Sequence, residues 1–333
     1  MRGVIRMGVV DEQKKLYRLW YEQMGIKSTA DINRIIDMGK IGELIDACEA
    51  RHTRGISDIA KEIAKKRSRV VFIAGPSSSG KTTTALKLQM RLNEIGINAV
   101  SVSLDDYYMD SASMPKNAAG GPDFEALESI DYRRFNENLS DLTAGREAVM
   151  PEFSFTKRAV IPEARRLRLR ENELVIVEGI HALNPKLGDN IGENEKFRLY
   201  CTALCALDDE NGKKIPSLKL RQARRLVRDF YFRNSDYKVT FGLWTNQETS
   251  ARKNIYPYSD TADAVFNSAL AYEWNVYRPH LLKVLDGADE DYEFIDDIRY
   301  LRELAKSLTA VDEDIIPKAS LVREFIGGGT LKY

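Results

Sequence analysis

The residues best suited to chemistry stand together in one short segment, Gly75-Pro76-Ser77-Ser78-Ser79-Gly80-Lys81-Thr82-Thr83. The segment fits the pattern G-x-x-x-x-G-K-[ST], in which the glycines let the backbone curl so that its N–H groups point at phosphate oxygens. A helix that begins at Lys81 would add the positive end of its dipole. In this motif the lysine reaches the β- and γ-phosphates, and the Thr82 hydroxyl ligates Mg²⁺. The segment therefore predicts an ATP and Mg²⁺ site over residues 75–83.

Two acidic residues end predicted strands and could act beside that loop. Asp105 follows the apolar stretch 98–104, and Glu178 follows the stretch 174–177. Asp105 could accept the proton of a hydroxyl that attacks the γ-phosphate, or it could only cap a helix. Glu178 could hold Mg²⁺, directly or through water, or it could cap the next turn. The sequence leaves both pairs of alternatives open.

An arginine-rich stretch is the third candidate for chemistry. Arg221, Arg225 and Arg228 are spaced at i, i+4 and i+7, which places them on one face of a helix. Arginines on a mobile lid over about 216–240 would stabilise the negative charge on a transferring phosphoryl group. A face of arginines that is only solvated is the structural alternative.

The elements that must position these residues follow from the apolar pattern. Short apolar runs predict strands over 70–74, 98–104, 174–177 and 197–205, and a helical period predicts a helix over 81–95. A strand–helix–strand order predicts an α/β fold, a parallel sheet of the P-loop NTPase type with helices on both faces. Ligands bind such sheets at the carboxyl ends of the strands, where the loop, Asp105 and Glu178 are expected.

The first 67 residues have a different, purely helical pattern. They predict a helix over 11–24, a second helix capped by Asp31 and a third capped by Ser57. We therefore divide the chain into a small helical appendage, 1–67, and a main P-loop domain, 68–333. The appendage is expected to pack on the main domain, with partner binding as the alternative. Residues 279–333 predict a docked helix and a loose glycine-rich end.

Composition excludes several classes of function. The chain has 333 residues with 50 basic and 50 acidic side chains, so its net charge is zero. Neutrality argues against a broad nucleic-acid or membrane surface, and no apolar run is long enough to predict a membrane-spanning helix. Three cysteines give neither an even disulfide framework nor a zinc spacing, which favours a reduced, cytoplasmic protein.

Taken jointly, these segments resemble the uridine kinase and phosphoribulokinase family of P-loop kinases. The segments GPSSSGKT, LDDYY, VIVEGIHALN and RQARRLVRDFYFR occur in the family's order over about residues 68–275. The resemblance implies transfer of the γ-phosphoryl group of ATP to a hydroxyl of a small acceptor, most simply uridine or cytidine. It makes Asp105 the catalytic base and Glu178 the metal-linked carboxylate. Lys81, Arg225 and Arg228 would stabilise the transferring group.

More narrowly, the chain resembles a bacterial branch of uridine-kinase-like proteins. The resemblance is carried by the segments FEALESID, YPYSDTADAVFNSALAYE and LVREFIGG. The longer members of that branch carry a threonyl-tRNA-synthetase-like N-terminal region. We expect this chain to hold only the short helical segment before the kinase domain, as a fragment or a short member.

The residues implied for the acceptor are Asp105, Tyr108, Glu125, Phe153 and Arg158. Glu125 falls where the family has its ribose-binding acid, while Phe153 replaces a base-recognising tyrosine and Arg158 a histidine. Phenylalanine can stack on a base but cannot donate a hydrogen bond, and arginine suits a carbonyl or an anion. These departures predict weak discrimination between bases, or an acceptor without a pyrimidine.

Two other functions remain open at this point. A kinase for another sugar or a sugar phosphate is favoured by Arg158. A nucleotide-binding regulatory or RNA-linked protein could use the loop as a switch, although neutral charge and the Asp105–Glu178 pair count against it. A homo-oligomer is compatible with the sequence.

Overall fold

The structure, a computed structural model, describes residues 8–117 and 120–332. Its strands are β1 (Val70–Ala74), β2 (Asn98–Ser103), β3 (Ala148–Ser154), β4 (Ala159–Leu167), β5 (Glu173–Glu178), β6 (Lys196–Thr202) and β7 (Ala264–Asn267). Five of them form a parallel sheet in the order β2-β5-β1-β6-β7, while β3 and β4 form a separate antiparallel pair. Every residue of β1 is buried, as expected of an apolar strand covered on both faces. The predicted parallel sheet is confirmed.

Helices cover both faces of the sheet. They are α1 (Val9–Gln23), α2 (Thr29–Asp37), α3 (Ile41–Lys66), α4 (Lys81–Glu94), α5 (Tyr132–Thr143), α6 (Ser217–Phe232), α7 (Tyr237–Asn254), α8 (Glu273–Val284), α9 (Ile295–Lys306) and α10 (Arg323–Ile326). Alternate residues of β1 enter different cores: Val71 and Ile73 pack with α3 and α4, whereas Val70 and Phe72 pack with α5. This alternation follows from the two-residue period of a strand.

The N-terminal helices differ from the predicted ones at their ends. The cap of α2 is Ser28, and Asp31 is the third residue of that helix, where its carboxylate accepts a bond of 2.9 Å from the Ser28 N–H. Ser57 caps nothing, because it lies within the 26-residue helix α3 and its hydroxyl donates to the Thr53 carbonyl oxygen. The helical period runs on through Gly55, which packs against the ring of Phe266.

The N-terminal helices pack on the rest of the chain. Tyr17 and Tyr21 of α1 belong to a core that also contains apolar residues of α6, α8 and α9. The Tyr17 hydroxyl donates to the carbonyl oxygen of Asn267 at the end of β7. A boundary at residue 67 stays a prediction. Within the described ranges, no helix is both long enough and apolar enough to cross a membrane.

Candidate active site

The predicted phosphate-binding loop joins β1 to α4. Ser78 and Gly80 have positive φ angles of 59° and 82°, so consecutive peptide N–H groups turn toward one concave side. Gly75 admits no side chain, because a Cβ there would lie 2.0 Å from the carbonyl oxygen of Cys201. Within the described residues, the buried hydroxyls of Ser78 and Ser79 have no hydrogen-bond partner. A loop with this shape and these spare donors fits phosphate oxygens.

The register of the sheet brings the two predicted carboxylates to the mouth of this loop. Glu178, the last residue of β5, pairs with Ile73 of β1 on one side and with Ser103 of β2 on the other. Asp105 follows β2 in a short 3₁₀ turn, where its N–H donates to the Ser103 hydroxyl. Both carboxylates therefore face Lys81, the first residue of α4.

Burial governs the titration of both carboxylates. It raises the pKa of Asp105, an effect that the charges of Lys81 and Arg233 partly oppose. Burial also raises the pKa of Glu178, to about 7, and the neighbouring charge of Asp105 adds to the rise while Lys81 opposes it. A cation placed between these two carboxylates and the phosphate loop would stabilise their ionised forms.

A magnesium ion fits the donor atoms present here. Within the part of the chain that the structure describes, no three His, Cys, Asp or Glu side chains are grouped so as to hold a metal ion. Mg²⁺ does not need such a cage, because it keeps several waters and binds through one or two carboxylates together with substrate phosphates. Thr82 and Glu178 line the same cavity and offer the hard oxygen atoms that such an ion takes.

Two arginines of α6 contact the phosphate-binding loop at Ser77. Arg225 donates to the Ser77 hydroxyl at 2.7 Å, and Arg221 donates to the Ser77 carbonyl oxygen at 3.1 Å. Asp229 pairs with both Arg225 and Arg228 at 3.0 and 2.9 Å, which fixes the direction of their guanidinium groups. Burial lowers the pKa of Arg225 to about 10, which still leaves it charged at neutral pH.

Arg224 has a different, structural role. Its side chain and that of Glu273 are both 0% exposed, and their charged atoms lie 2.8 Å apart. Arg224 also donates to the carbonyl oxygens of Ser78 and Ser268, so it braces the phosphate loop from behind. This arginine is therefore neither a phosphate ligand nor part of a solvated face.

Replacing Arg224 by methionine should destabilise the fold strongly. The substitution leaves Glu273 charged and unpaired in the core, which typically costs about 3–5 kcal/mol. Urea unfolding followed by circular dichroism measures the change. The matched control is Arg252→Met, whose side chain is 71% exposed beside Glu248 and should cost less than about 1 kcal/mol. Equal stabilities of the two variants would contradict the bracing role.

A cavity of about 680 Å³, here called the main cavity, opens in front of the loop. Of the predicted loop residues, Ser77, Ser78, Gly80, Lys81 and Thr82 line it. Thr83 is buried instead, and its hydroxyl donates to the carboxylate of Glu324 in α10. The predicted residues Asp105, Tyr108, Glu125, Glu178, Arg225 and Arg228 also line this cavity.

Two predicted acceptor residues do not reach the main cavity. Phe153 is inside β3 and buried, with its ring 5.6 Å from Tyr108 and 5.1 Å from Phe155. Phe155, just beyond the strand end, is 60% exposed and lines the cavity in its place. Arg158 lies in the turn between β3 and β4 with a φ of 53°, and it is absent from the described cavity lining. Phe155, rather than Phe153, therefore presents its ring to the main cavity.

Sequence reasoning did not find several other residues of the cavity. Asn246 and Gln247 reach it from α7, and Gln247 hydrogen-bonds the Glu125 side chain. Burial raises the pKa of Glu125, while the charge of Arg225 opposes the rise. The Glu125 backbone is held as well, because its carbonyl oxygen accepts from the Ser250 hydroxyl. No local motif marks α7, so only the fold reveals these contacts.

Comparison with known proteins identifies the family. The family model described as "Phosphoribulokinase / Uridine kinase family" matches residues 70–272, which is more than half of the chain. The chain belongs to this family. The matched region contains the loop, both carboxylates and the arginines of α6, and the P-loop kinase fold described above is the one expected of a member.

Two curated relatives and one solved structure show the extent of similarity. A uridine kinase of Schizosaccharomyces pombe is 31% identical over 173 residues, which are 51% of this chain and 34% of that protein. A uridine kinase of Deinococcus deserti is 31% identical over 118 residues, 35% of this chain and 55% of that protein. The chain thus spans about a third and about half of their lengths. A solved structure described as a possible uridine kinase, from Bacillus stearothermophilus, is 19% identical, covers 63% of this chain and 98% of its own, and has a TM-score of 0.40.

Proposed function

We propose that this protein is an ATP-dependent kinase that transfers the γ-phosphoryl group to a hydroxyl of a small acceptor, with a nucleoside as the favoured acceptor. The observation that carries the proposal is the placement of Asp105 opposite Lys81 and Thr82 in one cavity at the carboxyl end of the sheet. Family membership supports phosphoryl transfer, and the uridine kinases among the relatives support a nucleoside.

In this mechanism Asp105 accepts the proton of the acceptor hydroxyl. The hydroxyl oxygen bonds to the γ-phosphorus while the bond between that phosphorus and the β–γ bridging oxygen breaks, and ADP leaves with the electron pair. Burial raises the pKa of Asp105, which makes its carboxylate a stronger base. The charge of Lys81 opposes that rise.

The surrounding cations stabilise the charge that develops on the transferring group. Lys81, Arg225 and Arg228 line the cavity around the position that the γ-phosphate would take. Asp229 holds both arginines in place before the substrate arrives, so less reorganisation is needed during transfer. When bound, Mg²⁺ would neutralise phosphate charge, held by the Thr82 hydroxyl and Glu178.

The acceptor would lie against Glu125, Tyr108 and Phe155. The Glu125 carboxylate can accept hydrogen bonds from two neighbouring hydroxyls of a ribose. Phe155 offers an exposed ring on which a base can stack. Because Phe153 and Arg158 lie away from the main cavity, we retain the expectation of weak discrimination between bases and give Arg158 no role in acceptor binding.

The acceptor is tested by the kcat/KM of the wild-type chain and Glu125→Gln with uridine, cytidine, purine nucleosides, ribose and pentose phosphates. We expect nucleosides to be preferred, and the KM for them to rise roughly ten- to hundredfold in Glu125→Gln, as expected for a lost hydrogen bond to a charged group. Glu128→Gln is the matched control, because Glu128 is exposed in the same segment. Preference for a pentose phosphate would contradict the nucleoside proposal, and ATP binding without any acceptor turnover would indicate a nucleotide switch.

We also propose a cytoplasmic location. Cys48, Cys201 and Cys205 are all free and buried, as is usual in a reducing compartment. The mass of the intact protein, measured without a reductant, should correspond to three free thiols and no disulfide. A homo-oligomer stays a prediction.

A further inference from the structure

Arg221, the first arginine of α6, is held by other protein groups on every side. Its Nε donates to the carbonyl oxygen of Ser77 at 3.1 Å, and one terminal nitrogen donates to the Tyr256 hydroxyl at 2.6 Å. Both terminal nitrogens lie 3.3 Å from a carboxylate oxygen of Glu248, and the guanidinium lies over the ring of Trp244 at 5.3 Å. The side chain is 6% exposed and is absent from the described lining of the main cavity. Arg221 is therefore not placed to contact a phosphate.

The carboxylate that holds Arg221 belongs to α7, and this helix also forms a wall of the main cavity. Gln247, the neighbour of Glu248, lines that cavity and hydrogen-bonds the side chain of Glu125. Ser250, almost one turn later, donates its hydroxyl to the Glu125 carbonyl oxygen at 2.9 Å. One helix thus contacts the proposed acceptor residue Glu125 on one side and Arg221 on another.

At its other end, the Arg221 side chain contacts the phosphate-binding loop. Arg221 holds the Ser77 carbonyl oxygen, while Arg225, one turn further along α6, donates to the Ser77 hydroxyl at 2.7 Å. The peptide bond after Ser77 is trans and planar, so the N–H of Ser78 points away from the carbonyl that Arg221 holds. A backbone N–H is the donor that a loop of this type offers to a phosphate. Arg221 therefore helps to set the shape of the loop at Ser77 and Ser78.

The pair of Arg221 and Glu248 is better suited to fixing a direction than to adding stability. Glu248 is 13% exposed, and the cost of removing two charges from water offsets much of their attraction. The Tyr256 hydroxyl joins the pair, because it accepts from Arg221 and donates to Glu248 at 3.0 Å. The donors of a planar guanidinium have fixed directions relative to one another. A carboxylate that holds one edge of the group therefore aims its Nε at Ser77.

We propose that Arg221 and Glu248 are positioning residues that couple the binding of the acceptor to the binding of the donor phosphates. An acceptor bound at Glu125 holds α7 where Glu248 aims Arg221 at Ser77, and the loop then has the shape that phosphates bind. Coupling of this kind is carried by contiguous packed and hydrogen-bonded groups and by rigid elements such as α7. It is reciprocal, so each substrate tightens the binding of the other by the same factor. The inference rests on the proposed function for the places of the two substrates.

The test measures how strongly uridine tightens the binding of β,γ-imido-ATP, a non-hydrolysable analogue of ATP, in the presence of Mg²⁺. Calorimetry gives the dissociation constant of the analogue without uridine and with saturating uridine, and the ratio of the two constants is the coupling factor. We expect a factor of about 5–150 for the wild-type chain, the usual range for coupled sites. Arg221→Lys keeps the charge, but one ammonium group cannot hold Glu248 and Ser77 in the geometry of the guanidinium. In that variant the two constants should become nearly equal.

Two further variants complete the comparison. Arg252→Met removes the other cation on the same carboxylate, which lies 3.3 Å from Glu248 and is 71% exposed, and it should keep the wild-type coupling factor. Tyr256→Phe deletes only the hydroxyl that joins Arg221 to Glu248, so it should lower the factor while the chain stays folded. This second variant decides the question if Arg221→Lys does not fold.

The outcomes separate a positioning role from a merely structural one, and both from the proposed function. If folded Arg221→Lys, or Tyr256→Phe in its place, keeps the wild-type coupling factor, Arg221 only supports the loop and the inference is overturned, whatever the affinity for the analogue alone. A wild-type chain that binds the two ligands independently also overturns it and leaves the kinase proposal intact. A wild-type chain that binds neither ligand contradicts the proposed function itself.

Discussion

Replacing Lys81 by alanine should reduce phosphoryl transfer at least about a thousandfold while the chain stays folded. Lys81 is the loop's own cation at the mouth of the main cavity, and it faces both Asp105 and Glu178. Removing Lys81 takes away a positive charge that stabilises the transition state, in which negative charge is spread over the transferring phosphoryl group. Its one hydrogen bond within the described protein, to the Pro76 carbonyl oxygen, is long at 3.4 Å, so the fold loses little.

The measurement is ADP release in the presence of acceptor, together with urea unfolding of the same preparation. Lys65→Ala is the matched control, since Lys65 is exposed at the end of α3 and away from the loop. A folded Lys81→Ala protein with wild-type activity would remove the kinase proposal. A loss of activity that parallels a loss of stability would contradict the account of Lys81 as a phosphate contact.

The second large effect is expected at Asp105. Asp105→Asn keeps the size of the side chain but removes its ability to accept the acceptor's proton, and loss of a general base typically costs about 10²–10⁴-fold in rate. The kcat should fall by that factor while the affinity for ATP remains near that of the wild type. Steady-state kinetics and nucleotide titration measure the two quantities separately.

Asp106 provides a matched control in the next position. Its carboxylate turns away to an ion pair with Arg165 at 3.8 Å, and burial raises its pKa to about 6. Asp106→Asn should change kcat by no more than a few-fold. If Asp105→Asn kept its kcat, Asp105 would be only a structural residue of the turn that follows β2.

The parts of the fold that the sequence predicted are those set by local pattern. The phosphate loop stands between β1 and α4 as expected, because the apolar run 70–74 and the helical period after Lys81 are local signals. Asp105 and Glu178 reach the same place because parallel strands end at one edge of a sheet. The local pattern also gave a wrong prediction at Ser57. Serine is common at the start of a helix, but Ser57 lies in the interior of the long helix α3.

The remaining site residues depend on contacts that no local pattern encodes. Phe153 and Phe155 are two positions apart, and only the end of β3 decides that the first is buried and the second exposed. Thr83 and Glu324 are 241 positions apart in sequence yet share a hydrogen bond. Such a contact follows from the path of the whole chain, and the predicted loose terminus instead anchors beside the phosphate loop.

The central claim, phosphoryl transfer from ATP to a small hydroxyl acceptor, is tested most directly by following the phosphoryl group itself. The wild-type chain is incubated with γ-labelled ATP, Mg²⁺ and a uridine–cytidine mixture. The products are then separated, and their masses are measured by mass spectrometry. The account predicts a labelled nucleoside monophosphate, formed in equal amount to ADP and formed at least about a hundredfold more slowly by Asp105→Asn. Label found only in inorganic phosphate, or ATP left intact, would contradict it.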